Sequence, residues 1–312
     1  MATYLVTGGA GFIGSNIVEE LVKRNEEVIV IDDLSTGKIE NIKPFLDKIT
    51  FYKGSINDLK LLEKAMKDAD IILHQAAIPS VPRSIDNPLM TNNANITGTL
   101  NVLETARNLG KRRVVYAASS SAYGDQPVAM KTETLNPNPM SPYAIQKLTG
   151  EYYCRVYHKI YGLETIALRY FNVFGPRQDP NSPYAAVIPL FIKAVMNNEQ
   201  PVIYGDGLQS RDFTYVANNV HAVLLAAHTK NKDAFGETIN IALGNSVNLL
   251  QLLEKINKIL CTDIRPVFRE RRKGDVMHSL ADISRAKKLL DYSPVVSFDE
   301  GLKLTIDYYK SH

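Results

Sequence analysis

The stretch Thr7-Gly8-Gly9-Ala10-Gly11-Phe12-Ile13-Gly14 decides the fold of this chain. A short apolar run at residues 3–7 leads into it, and apolar residues recur at helical spacing after it. A second apolar run at residues 28–31 ends at Asp32-Asp33. This order of strand, glycine turn, helix, strand and acid is typical of the βαβ unit that binds a dinucleotide. We therefore expect a dinucleotide site at the start of the chain.

The residues of this unit also indicate which dinucleotide binds. Glycines let the backbone approach a pyrophosphate closely, and the helix that begins near Phe12 directs free N–H groups toward it. Asp32 follows Gly14 by 18 residues, where its carboxylate can accept hydrogen bonds from the adenosine ribose and would repel a 2′-phosphate. We therefore expect NAD rather than NADP, with Asp33 as the alternative holder of the ribose. Lys38 is a nearby base that could tolerate the phosphate.

Strands continue to alternate with helices along the first half of the chain. Apolar runs predict strands at residues 49–52, 71–74, 113–118 and 164–169, separated by helical patterns at 59–69, 92–109 and 143–161. This alternation predicts an α/β fold of the Rossmann type, with a doubly wound parallel sheet.

The pattern changes after Gly175-Pro176-Arg177. A helix is predicted at 188–196 and a strand at 202–204, and residues 213–216, 220–228 and 239–242 look like a return to the sheet. Elements at 248–260, 265–268 and 284–290 predict a smaller α/β lobe at the C-terminal end. We expect residues 1–175 plus 213–244 to form the NAD-binding domain, and residues 176–212 plus 245–312 to form the substrate-binding lobe.

Small or polar residues follow three of the predicted strands. Ligands of a doubly wound sheet bind at the carboxyl ends of its strands, so these residues are expected to lie together beside the ligand. The three stretches are His74-Gln75-Ala76-Ala77, Ser119-Ser120-Ser121 and Tyr170-Phe171-Asn172-Val173.

Tyr143 and Lys147 are predicted to form a proton-transfer pair. Ser141 suits a helix cap and Pro142 a first helical position, and residues four apart on the helix lie one above the other. A neighbouring ammonium favours the phenolate and lowers the pKa of the tyrosine, which can then take a proton from an alcohol. The alternative is a half-buried aromatic residue and a solvated lysine on an ordinary surface helix.

The composition is that of an ordinary globular protein. The chain has 312 residues, 45% of them hydrophobic and 22% charged, with a net charge of +3. No long basic tract occurs, so nucleic acid is not an expected partner. Two cysteines, Cys154 and Cys261, make neither a disulfide framework nor a metal-ligand spacing. No leader or long apolar run precedes the first strand, so we expect a cytoplasmic chain without a membrane segment or metal.

With these motifs assembled, the chain resembles the extended short-chain dehydrogenase/reductase superfamily, and within it the nucleotide-sugar 4-epimerases. The resemblance rests on the glycine stretch, the three strand-end stretches, Ser141-Pro142-Tyr143 with Lys147, and residues 207–214. Three further stretches resemble the UDP-N-acetylglucosamine 4-epimerase branch: Asp179-Pro180-Asn181, Ala185-Ala186-Val187-Ile188-Pro189 and the run at 274–282.

The resemblance implies roles for individual residues. Tyr143 would be the base, Lys147 would hold the nicotinamide ribose, and Ser119 would bond the reacting hydroxyl. NAD would be a retained group, and a UDP-sugar the substrate of a nucleotide-sugar-binding lobe. The expected cofactor-binding residues are Gly8, Gly11, Phe12, Ile13, Gly14, Asp32, Asp33, Ser35, Thr36, Gly37, Ser55, Ile56, Gln75, Ala76, Ala77, Asn95, Tyr143, Lys147, Tyr170 and Val173. The expected substrate-binding residues are Ser80, Arg83, Ser84, Ser119, Ser120, Ser121, Tyr143, Asn172, Ala186, Val187, Tyr204, Arg211, Arg272, Asp275 and Ser279.

Some positions qualify this picture. Gly54-Ser55-Ile56 stands where the superfamily commonly has an aspartate near the adenine. Ser120 and Ser121 replace the acidic pair of the dehydratases, which disfavours elimination of water. The small Ser279 leaves room for a 2-acetamido group.

Two further expectations concern assembly and the histidines. The resemblance implies a homodimer through the helices at 92–109 and 143–161, whereas the alternative is that both helices pack entirely within one chain. His74, His221 and His228 are assigned to packing alone. Competing activities on the same scaffold are a UDP-glucose-specific 4-epimerase and an NAD-dependent decarboxylase or dehydratase of nucleotide sugars.

Overall fold

The computed structural model describes residues 2–111, 113–182, 185–271 and 277–312. Its strands are β1 (Thr3–Thr7), β2 (Glu27–Asp32), β3 (Ile49–Lys53), β4 (Ile71–His74), β5 (Arg113–Ser119), β6 (Glu164–Tyr170), β7 (Val173–Phe174), β8 (Val202–Tyr204), β9 (Ser210–Arg211), β10 (Thr214–Tyr215), β11 (Thr238–Ile241), β12 (Val247–Asn248), β13 (Val267–Arg269) and β14 (His278–Ser279). Its helices are α1 (Phe12–Lys23), α2 (Leu59–Met66), α3 (Val81–Asp86), α4 (Pro88–Asn92), α5 (Gly98–Asn108), α6 (Pro142–Tyr161), α7 (Val187–Met196), α8 (Val216–His228), α9 (Leu249–Leu260), α10 (Ser284–Leu290) and α11 (Phe298–Ser311). A π-helical turn, Asn93–Thr97, joins α4 to α5.

A seven-stranded parallel sheet forms the centre of the described chain, in the order β11-β6-β5-β4-β1-β2-β3. Successive side chains of β1 enter different cores: Tyr4 and Val6 belong to one buried cluster and Leu5 to the other. Both faces of the sheet are therefore covered by helices, which confirms the predicted doubly wound fold. The strand order reverses between β1 and β4, and a ligand crevice is expected at that point.

Helix α6 places the Tyr143 and Lys147 side chains above this crevice. The Ser141 hydroxyl caps it by accepting a hydrogen bond from Ala144 N at 3.2 Å, and Pro142 occupies its first turn. A side chain at Gly150 would come within 2.3 Å of the Tyr116 hydroxyl on β5. Only glycine therefore lets the helix lie this close to the sheet.

A buried ion pair near the middle of α6 fixes the position of this helix on the sheet. The Arg169 guanidinium on β6 donates from Nε and Nη2 to the two carboxylate oxygens of Glu151, at 2.8 and 2.6 Å. Both side chains are almost fully buried. Bidentate pairing of this kind is geometrically specific, so it sets the position of the helix relative to the ends of β5 and β6.

The structure corrects four sequence predictions. Residues 214–215 do not return to the main sheet but pair with β7 in a separate two-stranded sheet, and α8 begins at Val216 rather than at residue 220. The helix predicted at 92–109 is interrupted by the π-helical turn, where the Thr99 hydroxyl donates to Asn95 O at 2.7 Å. Helix α11 was absent from the prediction, although Ser297 caps it.

The division into an NAD-binding domain and a substrate-binding lobe stays a prediction, as does the homodimer. An exposed apolar surface does lie on α4 and α6, where Leu89 is 82% and Ile160 65% exposed and Ile145, Tyr152 and Val156 are also exposed. Within the described residues, no helix has the length and apolar character that crossing a bilayer requires.

Candidate active site

Two cavities meet at Tyr143 on the carboxyl-end side of the sheet. The first, of about 640 Å³, is called here the dinucleotide groove, and the second, of about 1040 Å³, the substrate cleft. Tyr143, Tyr170 and Ile13 line both. The groove contains these predicted cofactor residues: Gly8, Gly11, Phe12, Ile13, Gly14, Asp32, Asp33, Ser35, Thr36, Ser55, Ile56, Gln75, Ala76, Ala77, Tyr143, Lys147 and Tyr170.

The glycine turn is shaped to leave the groove open. Gly8 has a φ of +69°, in the region that favours glycine. A side chain at Gly14 would lie 2.1 Å from Gly8 O, so this position must be glycine for the turn to close. Gly11 stands at the N-cap of α1 without a side-chain cap, and no acid occupies the first turn. The N–H groups and positive end of the helix dipole therefore suit a phosphate.

The acid after β2 is held by backbone donors. Asp32 accepts hydrogen bonds from Ala10 N at 2.9 Å and Leu34 N at 2.8 Å, and its burial raises the pKa of its carboxyl. It lines the groove together with the exposed Asp33. Gly37 does not line the groove, because it packs against Asp32: a Cβ there would lie 2.9 Å from Oδ2.

An unsatisfied polar group gives independent support for a ligand in the groove. Gln75 Nε2 is buried without a hydrogen-bond partner among the described residues, although its Oε1 accepts from the Tyr170 hydroxyl at 3.2 Å. Buried polar atoms are normally paired. A dinucleotide amide or ribose oxygen at this place would satisfy it, so the residues present fit NAD.

The structure places the Ser119, Tyr143 and Lys147 side chains near one another. Ser119 forms a side-chain hydrogen bond with Tyr143, and its Oγ also accepts from Ser121 Oγ at 2.9 Å. Lys147 Nζ donates to Ala117 O at 2.8 Å on β5. The three functional groups thus stand at the end of one strand and the start of one helix, beside the junction of groove and cleft.

The electrostatics of the pair differ from the sequence prediction. Burial raises the pKa of Tyr143, and the Ser119 hydrogen bond lowers it by less, whereas we predicted a lowered value. Burial also lowers the pKa of Lys147 to about 8, against the opposing attraction of Glu151. The sequence argument considered the neighbouring charge but not desolvation, which disfavours both charged forms.

The substrate cleft contains most of the predicted substrate residues, namely Ser119, Ser120, Ser121, Tyr143, Asn172, Val187, Tyr204, Arg211 and Ser279. Ser279 on β14 lies opposite Arg211 on β9 in the strand pairing. Arg272 and Asp275, the predicted phosphate and ribose clamp, lie outside the described residues.

Besides Gly37, six predicted contacts are placed elsewhere. Ser80, Arg83 and Ala186 line the dinucleotide groove rather than the cleft, and Val173 lines the cleft rather than the groove. Ser84 lines neither, because its hydroxyl accepts from Tyr143 N at 3.0 Å and donates to Val81 O at 2.7 Å, so it supports α6. Asn95 is buried behind the groove, where its side chain bonds Ile78 and Gln146.

Sequence reasoning missed two features of the site. Lys131 is 2% exposed and lines the substrate cleft, and a lone lysine in a loop carries no pattern that could have revealed it. Lys38, considered only as a base near the ribose, forms an ion pair of 2.8 Å with Asp179. Asp179 lines the groove, as do Ser35 and Thr36 of the segment that carries Lys38, so this pair joins two segments that border the groove.

Breaking this pair should loosen cofactor retention. Both side chains are partly exposed, so the interaction is expected to contribute about 0.5–1 kcal/mol. We expect Asp179→Asn to raise the rate of NAD loss during dialysis about two- to fivefold, with the difference shrinking at high salt. Lys255→Met is the matched control, because it breaks an exposed pair with Asp299 that does not line the groove. Equal rates in both variants would contradict the prediction.

Comparisons with known proteins agree with this geometry. Residues 4–242 match the model of the NAD dependent epimerase/dehydratase family. A solved UDP-N-acetylglucosamine 4-epimerase from Methanobrevibacter ruminantium M1, in complex with UDP-N-acetylmuramic acid, is 44% identical with a TM-score of 0.94 over 99% of this chain and 98% of that one. A UDP-glucose 4-epimerase from Thermotoga maritima with UDP-glucose is 38% identical, with a TM-score of 0.93 and 99% of each chain covered. The UDP-glucuronate 4-epimerase of Thermodesulfobacterium geofontis is 33% identical over 100% of this chain and 97% of its own.

Proposed function

This chain belongs to the NAD dependent epimerase/dehydratase family, and from that premise we propose that it is a UDP-N-acetylglucosamine 4-epimerase. It interconverts UDP-GlcNAc and UDP-GalNAc through a transient 4-keto sugar, and it also acts on UDP-Glc and UDP-Gal. The observation that carries the proposal is the Ser119, Tyr143 and Lys147 set, which stands beside the junction of a groove that fits NAD and a cleft large enough for a nucleotide sugar.

Tyr143 exchanges the proton of the sugar 4-hydroxyl. NAD, held by the residues of the groove, would supply the acceptor and donor for the hydride of C4. The Ser119 hydroxyl lies within hydrogen-bonding reach of Tyr143. It would therefore be near the sugar 4-oxygen and would orient it. The buried Lys147 side chain, held by Ala117 O, lines the groove, where its ammonium would bond the nicotinamide ribose. The Ser119 hydrogen bond counters the rise in the Tyr143 pKa that burial causes. Because proton removal and proton return use the same phenol, one tyrosine serves both halves of the reaction.

Inversion at C4 requires the hexose to turn over while the nucleotide stays bound. Arg211 supplies a guanidinium to the wall of the cleft, where it would suit the diphosphate. Small hydroxyl side chains, Ser120, Ser121 and Ser279, also line the cleft, where they would face the hexose. Firm binding at the diphosphate and few bulky contacts at the hexose permit this rotation without release of the intermediate.

Ser279 supports the acetamido substrate. It is a small residue on a strand that borders the cleft, so it leaves volume for the 2-acetamido group. Dehydration is disfavoured because Ser120 and Ser121 offer no general acid beside Tyr143.

A nuclear magnetic resonance assay of the purified chain tests the proposal. UDP-GlcNAc incubated with catalytic NAD should give UDP-GalNAc of equal mass, and UDP-glucose should give UDP-galactose. A product of lower mass would instead establish a decarboxylase or dehydratase. Conversion of UDP-glucose alone would establish an epimerase confined to plain hexoses.

A second candidate function, 4-epimerisation of an acidic UDP-sugar, is favoured by Lys131. Burial lowers the pKa of its ammonium, which donates to Gln126 O at 2.7 Å and has no carboxylate within ion-pair distance among the described residues. A sugar carboxylate in the cleft would pair with it. Faster turnover of UDP-glucuronate than of UDP-GlcNAc in the same assay, lost in Lys131→Met, would establish this candidate.

A further inference from the structure

His74 uses both of its ring nitrogens in a buried hydrogen-bonded chain. It is the last residue of β4, one of the two strands between which the sheet order reverses, and it is only 1% exposed. Its Nδ1 lies 2.7 Å from the Thr7 hydroxyl, and its Nε2 lies 3.0 Å from the Thr99 hydroxyl. The sequence indicated only packing for this residue, and the structure shows in addition which hydroxyl pairs with each ring nitrogen.

The direction of each hydrogen bond in this chain can be deduced. Asn95 O can only accept, so the Thr99 hydroxyl, 2.7 Å away, donates its proton there. Thr99 must therefore accept from His74 Nε2–H. The Tyr116 hydroxyl also interacts with Thr99, but Tyr116 directs its own proton toward Lys147 O at 3.3 Å. This leaves Thr99 as the acceptor for the histidine.

The charge of the ring determines whether the other nitrogen, Nδ1, carries a proton. Burial, with a smaller contribution from repulsion by Lys147, lowers the pKa of His74 to about 3, so the ring is neutral at physiological pH. With the proton on Nε2, Nδ1 is bare and accepts from the Thr7 hydroxyl. Thr7 Oγ1 in turn accepts from Ala76 N at 3.1 Å. Donors and acceptors therefore alternate without conflict from Ala76 to Asn95.

The two ends of this chain are parts of the site. Ala76 lines the dinucleotide groove, and a side chain at Gly8 of the glycine turn would lie 2.7 Å from its Cα. At the other end, the Asn95 side chain donates to Gln146 Oε1 at 2.8 Å. Gln146 precedes Lys147 on α6. One continuous set of buried hydrogen bonds thus joins the wall of the groove to the helix that carries Tyr143 and Lys147.

We propose that His74, as the neutral Nε2–H tautomer, is a positioning residue that holds helix α6 in a fixed position relative to the dinucleotide groove. It does not exchange protons with the substrate. The effect on turnover rests on the proposed function, whereas the tautomer and the effect on cofactor retention do not.

Nitrogen-15 spectra of the full chain, labelled at histidine, test the tautomer directly. The His74 signals are assigned by their absence in His74→Gln. We expect one protonated nitrogen, Nε2, and one bare nitrogen, Nδ1, unchanged from about pH 5 to 8. An imidazolium, or a proton on Nδ1, would overturn the inference.

Variants of the two threonines test the positioning role. Thr7→Val and Thr99→Val keep the side-chain shape and remove one hydroxyl of the chain. We expect each to speed NAD loss and to lower kcat about tenfold or more, with the KM of the nucleotide sugar little changed, because the reacting groups are misplaced. Thr105→Val is the matched control, since Thr105 is also buried on α5 and lies outside this chain.

The histidine itself provides the last comparison. His74→Gln keeps an amide N–H that can reach Thr99 and should retain more NAD than His74→Leu, which keeps neither bond. Unchanged NAD retention in both threonine variants would overturn the inference even if the histidine variants fail to fold. If the threonine variants lose NAD faster but the unaltered protein shows no epimerase activity, the positioning role is upheld and the proposed function is refuted.

Discussion

Tyr143→Phe should lower kcat by about 10²–10⁴-fold while the fold and bound NAD remain. The substitution removes only the phenolic oxygen, which is the group that exchanges a proton with the sugar 4-hydroxyl in the proposed mechanism. The ring stays in the wall that the groove and cleft share, so the loss should fall on kcat rather than on KM. Initial rates of UDP-GlcNAc conversion measure the effect.

The control for this variant is Tyr161→Phe. Tyr161 lies on the same helix but is half exposed at its last turn and does not line either cavity, so its hydroxyl should not affect turnover. Circular dichroism and the NAD content of the purified variants show whether each is folded and loaded. A folded, NAD-loaded Tyr143→Phe that keeps more than a tenth of the activity would contradict the role of the phenol.

Ser279→Tyr should lower kcat/KM for UDP-GlcNAc about a hundredfold relative to UDP-glucose. Ser279 lines the cleft from β14, opposite Arg211, and a phenol there would occupy the space that the acetamido group needs. UDP-glucose lacks that group, so its turnover should change much less. Competition between the two sugars in one assay measures the ratio directly.

The neighbouring residue supplies a control for the bulk of the new side chain. His278 is exposed and does not line the cleft, because successive side chains of a strand point to opposite faces. His278→Tyr should therefore leave the ratio of the two sugars unchanged. An equal loss of both sugars in Ser279→Tyr would show that Ser279 does not select for the acetamido group.

The site could be predicted in part because its main residues belong to local patterns. The glycine turn, the cap at Ser141 and the spacing of Tyr143 and Lys147 each depend on residues only a few positions apart. Such patterns determine where strands and helices begin. The predicted return of residues 213–216 to the main sheet was wrong, because a short extended segment does not reveal its pairing partner, and here that partner is β7.

The sequence by itself determined the doubly wound fold and the order of its elements, because hydrophobic period, glycine turns and helix caps act between near neighbours. Only the tertiary structure decided the direction of the pKa shift at Tyr143, the Lys38–Asp179 pair beside the groove and the two partners of His74. Burial and hydrogen bonding depend on which distant residues meet, and His74 is separated from Thr7 by 67 positions and from Thr99 by 25. A local sequence pattern does not show which distant residues come into contact. The hydrogen bonds that join the groove to helix α6 therefore form only when the sheet and helices pack together.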